Sequence, residues 1–224
     1  MFMGIDNLAL FMAAGVVLNL TPGPDVLYIV SHALKSGWKT GAVAALGITA
    51  GCFVHIAAAA LGVSALLAAS HTAFAVLKGL GAAYLVYVGV MMWRASFGDQ
   101  KKSPDLIAGL ASSADSGSLK SLKNVFIKGF WTNALNPKVA LFFLAFLPQF
   151  ILPGAEHKTL AFLLLGLIFN FNSLWVGLGY AALAAAASQR FSVLQSAMVW
   201  LERAAGALFI VFGLKLALTD NPPL

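Results

Sequence analysis

The chain is short of charge and almost without cysteine. Charged residues make up 10% of its 224 residues and hydrophobic residues 60%, against about 25% and about 45 to 50% in ordinary soluble domains. That leaves too little polar surface to coat a globule in water, so lipid is the expected solvent. The single cysteine, Cys52, lies in an apolar stretch. It excludes an internal disulfide framework, supplies no cysteine pair for a metal, and reads as a small packing residue. Also missing are an HExxH pair, a cluster of Cys and His ligands, a phosphate-cradling Gly-Lys loop and a Ser/His/Asp arrangement. These absences argue against an embedded enzyme and give no reason to expect a cofactor. Met1 to Asp6 lack the basic stretch that opens a secretory signal, so the apolar run after them is expected to stay as a helix.

What is present is a series of long apolar runs. A hydrocarbon core about 30 Å thick needs about 20 mostly apolar helical residues per crossing. Six segments meet this need: Ile5 to Val30, Val43 to Ala69, Phe74 to Trp93, Val125 to Phe150, Thr159 to Ala187 and Val199 to Leu218. The long polar stretch Arg94 to Asn124, rich in Ser, Lys and Asp, reads as a solvated connector. The expected organisation is therefore a first three-helix unit (1-95), a cytoplasmic connector (96-124) and a second three-helix unit (125-224).

The net charge of +6 comes from 14 Lys and Arg against 8 Asp and Glu. It points to topology rather than to nucleic acid, because the basic residues sit in flanks and loops. Lys35, Lys39, Arg94, Lys101, Lys102, Lys120, Lys123, Lys128, Arg190 and Arg203 fall on one face, and Lys78, Lys158 and Lys215 on the other. Basic loops are retained on the cytoplasmic side, which puts both termini outside.

The two halves open alike, with Leu20-Thr21-Pro22 in the first segment and Leu135-Asn136-Pro137 in the fourth. Three helices per half give the halves opposite orientations, the inverted-repeat arrangement of many secondary transporters. Thr21 reads as an N-cap with Pro22 at the first helical position, and Asn136-Pro137 repeats this grammar. Each broken segment would then present a helix N-terminus, with free N–H groups and partial positive charge, inside the bundle. The competing reading is two kinked but continuous helices.

Asp25 and Lys138 follow the breaks closely, and a charge near the bilayer centre costs about 2.5 to 3.5 kcal/mol. Both are expected to face the interior, either paired with each other or holding a zwitterion between them. Asp25 and His55 are the proton-coupling candidates. His55 also reads as a packing histidine, and Asn170, Asn172 and Ser173 as residues that line a polar path or join helices. Gly37 to Gly41, Gly47 to Gly51 and the alanines from Ala181 to Ala187 are small-residue packing signals.

Several runs together carry a family resemblance: Leu20-Thr21-Pro22-Gly23-Pro24-Asp25, then Gly81-Ala82-Ala83-Tyr84-Leu85, then Asn136-Pro137-Lys138 followed by Phe142-Phe143 and Leu147-Pro148-Gln149-Phe150. With Gly206 and Gly213-Leu214-Lys215-Leu216 near the end, the chain resembles the lysine-exporter and homoserine/threonine-exporter family (LysE/RhtB) over nearly its whole length. The resemblance implies a bacterial inner-membrane exporter of amino acids or related small metabolites, coupled to protons or membrane potential. It carries Pro22, Gly23, Pro24, Asn136, Pro137 and Lys138 over as motif residues, with Asp25 following the first motif and Thr21 preceding it. Two rivals stand beside this reading. One is a family member that exports a heavy-metal cation, for which Cys52 and His55 are the only soft or imidazole ligands near each other. The other is a non-transporting membrane scaffold. Expected partners are a small solute and membrane lipid, with a homo-oligomer left open and no nucleic acid.

Overall fold

The computed structural model of the protein describes residues 4–63, 71–95, 119–152, 155–186 and 191–218. Among these residues the architecture is all-helical. α1 (Leu8–Leu20) and α2 (Pro24–Ser36) are followed by α3 (Trp38–Ala58), which runs on as a π-turn at Ala59–Val63, and by α4 (His71–Ala95). α5 (Leu119–Ala134) leads into α6 (Pro137–Leu141), a π-turn at Phe142–Phe146 and a 3-10 turn at Leu147–Phe150. α7 (Lys158–Ala186) and α8 (Phe191–Leu218) complete the chain. α5 begins within the polar stretch read as connector, whose residues 96–118 lie outside the described residues.

Among the described residues two uninterrupted helices, Trp38–Gly62 and Lys158–Ala186, are long and apolar enough to cross a membrane. Two bent pairs pass the same test together: Leu8–Leu20 with Pro24–Ser36, bent by 53°, and Ser121–Ala134 with Pro137–Phe150, bent by 44°. Kinked but continuous helices are thereby replaced by real breaks in both segments. A shorter apolar stretch, Gly79–Met91, lies within α4.

Close backbone approach holds these helices together, as expected where lipid supplies no hydrophobic drive between them. A Cβ on Gly47 or Gly51 of α3 would run into the carbonyl oxygens of Phe126 and Phe130 on α5. Gly41 meets Ala33 and Ala181, and Gly89 and Gly213 bring α4 and α8 into the same intimacy. Gly37 does not belong to this set. Nothing lies within 4 Å of the position its Cβ would take, and its φ of +81° marks it as the turn between α2 and α3.

Short backbone pairings tie the two broken segments to each other. Ile5 bridges Ile151, with Asp6 N–H on the Phe150 carbonyl at 2.9 Å and Leu152 N–H on that of Gly4 at 2.8 Å. The first broken segment leaves this end and the second arrives at it. At the other end the Tyr28 hydroxyl of α2 donates to the Val125 carbonyl of α5 at 2.8 Å.

Two apolar clusters fill the interior. One is aromatic, with Phe11, Phe142, Phe143, Phe146, Phe150 and Phe169 buried together and ring centroids 4.7 to 6.2 Å apart. The other is built mainly of small and branched aliphatic side chains from α2, α3, α5 and α7, with Val26, Ile29, Ala45, Val125 and Ala181 among them and Tyr180 packed with them.

Candidate functional site

The breaks define the site, and their helix starts differ from the expected ones. Thr21 does not cap α2. It ends α1, and its hydroxyl donates backward to the Val17 carbonyl at 2.7 Å. A threonine in a final helical turn has this carbonyl one turn back within easy reach. The N-cap of α2 is Gly23, which has no side chain with which to cap the start, and Pro24 rather than Pro22 is the first helical residue. At the second break Asn136 caps α6 as expected, its Oδ1 accepting from the Lys138 N–H at 3.0 Å, with Pro137 first in the helix.

The structural correspondence between the halves is therefore Gly23-Pro24-Asp25 with Asn136-Pro137-Lys138, two residues later in the first half than the tripeptide match suggests. It places Asp25 and Lys138 at equivalent second positions of their helices. For Asp25 that position is favourable, because a helix N-terminus carries partial positive charge; for Lys138 it is unfavourable. Lys138 instead reaches to the far end of α1, where the dipole has the opposite sign. Its ammonium donates to the carbonyls of Leu18 at 3.1 Å and Thr21 at 3.0 Å. Asp25 crosses in the reverse sense, its Oδ2 accepting from the Asn133 amide on the last turn of α5 at 2.8 Å. The Asn136 amide borders the same carboxylate.

Two further side chains close the broken backbone. The Tyr180 hydroxyl of α7 donates to the Leu20 carbonyl at 2.7 Å. His55 Nε2 lies 2.8 Å from the Asn133 carbonyl, which also accepts the Asn136 N–H at 2.8 Å. A carbonyl can only accept, so Nε2 carries the hydrogen. At each break the carbonyl end of the first helix is thus met by side chains from elsewhere in the chain, Lys138 and Tyr180 at the first and His55 at the second. This is the condition under which interrupted helices persist at membrane depth.

Leu18, Asn19, Thr21, Asp25, Lys138 and Ser173 are among the residues that enclose a cavity of about 30 Å³ at this crossing, with Phe169 also on its wall. That is room for a water or two and less than an amino acid needs. It lies where the two apolar clusters meet, with Leu18, Val139 and Phe169 from the aromatic one and Val26, Ile29, Ile48 and Tyr180 from the aliphatic one. Two buried polar atoms of residues lining it have no hydrogen-bond partner, Asp25 Oδ1 and Asn19 Nδ2.

Of the residues singled out from sequence, Thr21, Gly23, Asp25, Asn136 and Lys138 line this cavity, while Pro22, Pro24 and Pro137 do not. The prolines act on the backbone. His55 is buried outside the cavity, ring against Phe143 at 6.0 Å. Asn170 joins helices, its amide donating to the Thr49 carbonyl of α3 at 3.2 Å, whereas Ser173 lines the cavity. Cys52 is buried in the aromatic cluster, and among the described residues no three His, Cys, Asp or Glu side chains gather to hold a metal. Sequence reasoning missed Asn19, Asn133 and Tyr180. The first two had a readable signal, an amide just before a helix break in an otherwise apolar segment.

Residues 16–220 match the profile of the LysE type translocators. The chain belongs to the LysE type translocator family. Among its relatives, an uncharacterized membrane protein of Pseudomonas aeruginosa is 34% identical over 222 residues, 96% of each chain. The homoserine/homoserine lactone efflux proteins of Salmonella typhi and Salmonella typhimurium are 29% and 30% identical, each over 92% of this chain and 94% of its own length. No solved structure matches.

Proposed function

We propose that the protein is a secondary exporter of small amino-acid metabolites, homoserine and its lactone foremost, and that the Asp25 cavity is its substrate site. The observation that carries this reading is the juxtaposition of an anionic and a cationic side chain, Asp25 and Lys138, around one small cavity between two broken helices. A zwitterion or a neutral solute suits such a site, since its net charge stays balanced away from water. The relatives' efflux of homoserine and homoserine lactone supports that solute class.

The chain is read as six crossings in two inverted halves in the bacterial inner membrane, with both termini outside. The Ile5–Ile151 pairing at one end and the Tyr28–Val125 bond at the other support opposite directions for the two broken segments. Since the cavity is smaller than the solute, transport requires the halves to part. The aromatic cluster then forms the barrier on the side of Ile5, and the aliphatic cluster the barrier on the other. Asp25 is the group placed to exchange a proton with the cavity. His55, engaged at the Asn133 carbonyl, acts in this reading on the backbone of the second break.

Proteoliposomes loaded with labelled homoserine test the proposal. Wild-type protein is expected to release the label, and Asp25→Asn to slow release on the order of a hundredfold, the value of losing a charge-assisted contact. Unchanged efflux in both Asp25→Asn and Lys138→Ala overturns it.

A further inference from the structure

We infer that Asn19 is a substrate-binding residue, the donor that takes an oxygen of the solute while Asp25 Oδ1 takes its amino group; this rests on the transport reading above.

Asn19 sits on the last turn of α1, one residue after Leu18 and two before Thr21. The neighbouring backbone carbonyls of Val17, Leu18, Leu20 and Thr21 are already engaged. That of Val17 accepts the Thr21 hydroxyl, and that of Leu18 accepts both the Thr21 N–H and the Lys138 ammonium. The Leu20 carbonyl accepts the Tyr180 hydroxyl, and that of Thr21 accepts Lys138. The Asn19 amide nitrogen is buried without an acceptor. Leaving such a group unmet costs about 1 to 3 kcal/mol. A packing role does not account for it, because an apolar side chain of the same shape would avoid that cost.

Chemical pairing inside the cavity gives the orphan donor its meaning. Asn19 and Asp25 line the same space, and each leaves one atom unmet, a neutral donor on one and an anionic acceptor on the other. The complement of that pair is a solute bearing an ammonium and, within a few bonds, an oxygen that accepts. An α-amino acid and its lactone both have this pattern. The unmet side-chain atoms of Asn170 and Asn172 belong to residues on a separate, largely apolar groove bordered by Phe53 and Phe171, so they do not complete this site.

Homoserine efflux from proteoliposomes, measured over a range of internal concentrations, separates binding from structure. Asn19→Leu keeps the shape and removes the donor. It is expected to raise the KM for homoserine about tenfold, the worth of a hydrogen bond to a charged group, with the maximal rate within about twofold. Asn19→Ser, which keeps a hydroxyl donor, should recover most of the loss. An unchanged KM in Asn19→Leu, or a fall in maximal rate alone, overturns the assignment. Should the leucine variant fail to yield folded protein, Asn19→Ala against Asn19→Ser decides: a raised KM in alanine only supports it, and equal values overturn it. Absence of any wild-type efflux overturns the transport reading instead, so the two failures are distinguishable.

Discussion

The two breaks are built on one plan and finished differently. In each, proline starts a second helix, and the next residue sends its charged side chain across to the last turn of the opposite half. The second start is closed by its own sequence, with the Asn136 side chain on the Lys138 N–H. The first start has no cap of its own, because Gly23 has no side chain to offer. Asn136 spends its carbonyl oxygen on the backbone, whereas Asp25 keeps one carboxylate oxygen unmet. On the proposed transport reading, the difference separates a break that holds the fold from a break that holds a solute, although the sequence motifs look interchangeable.

The largest stability effect that would break this comparison is expected at Lys138. Lys138→Met removes the donor from the Leu18 and Thr21 carbonyls at the end of α1. It also leaves Asp25 without a neighbouring cation. Orphaning buried acceptors and a buried charge together should cost about 2 to 4 kcal/mol. Thermal unfolding in detergent would report this as a marked drop in melting temperature. If Lys138→Met melts like wild type, the ammonium is not what holds the first break together.

A smaller loss is expected at the second break. Asn136→Ala removes the cap of α6 and should destabilise by about 1 kcal/mol, and Asn136→Ser should restore most of it. The same melting measurement checks both. Equal melting of the alanine and serine variants would mean that the cap bond is incidental and that the two starts do not differ in this way.

How far these features could be read from the sequence depends on their range. The apolar runs and the interruption of the first and fourth segments follow from hydropathy and proline chemistry, which are local. The position of α7 came out within one residue at each end for the same reason, whereas α3 begins five residues before the expected Val43 and the expected end at Ala69 lies outside the described residues. The choice between Pro22 and Pro24 as the start of α2 was not local in that sense. Thr21 could turn its hydroxyl forward onto α2 or backward onto α1, and the bonding of α1's end by Lys138 and Tyr180 accompanies the backward choice. Those partners lie more than 100 residues away, at positions where an apolar run hides what a side chain will reach. Gly37 and Gly41 looked like one packing motif, yet only the second has a neighbour. Asp25 and Lys138 were found because intramembrane charge is costly and therefore conspicuous. Neutral amides such as Asn19 and Asn133 cost less and blend into helix-joining polar residues.

The smallest effect gives the sharpest test, because it converts one break into the other. Gly23 has φ −170° and ψ −175°, extended backbone that any residue adopts. A Cβ there would meet only the flexible Lys138 side chain, at 3.5 Å, and the Thr21 carbonyl at 3.9 Å. Gly23→Ser is therefore sterically permitted and supplies the cap that α2 lacks. As a capping change it should stabilise the protein by only a few tenths of a kcal/mol. As a change to the site it should do the reverse on the proposed transport reading, because an N–H of Asp25 or Val26 bonded to serine is no longer available to a solute in the cavity those residues line. Efflux of homoserine is expected to fall roughly threefold, in keeping with one neutral hydrogen bond, while the melting temperature holds or rises slightly. Opposite signs in the two measurements would show that the open start serves the solute at the expense of the fold. If efflux and stability rise together, the uncapped glycine is an imperfection rather than part of the site.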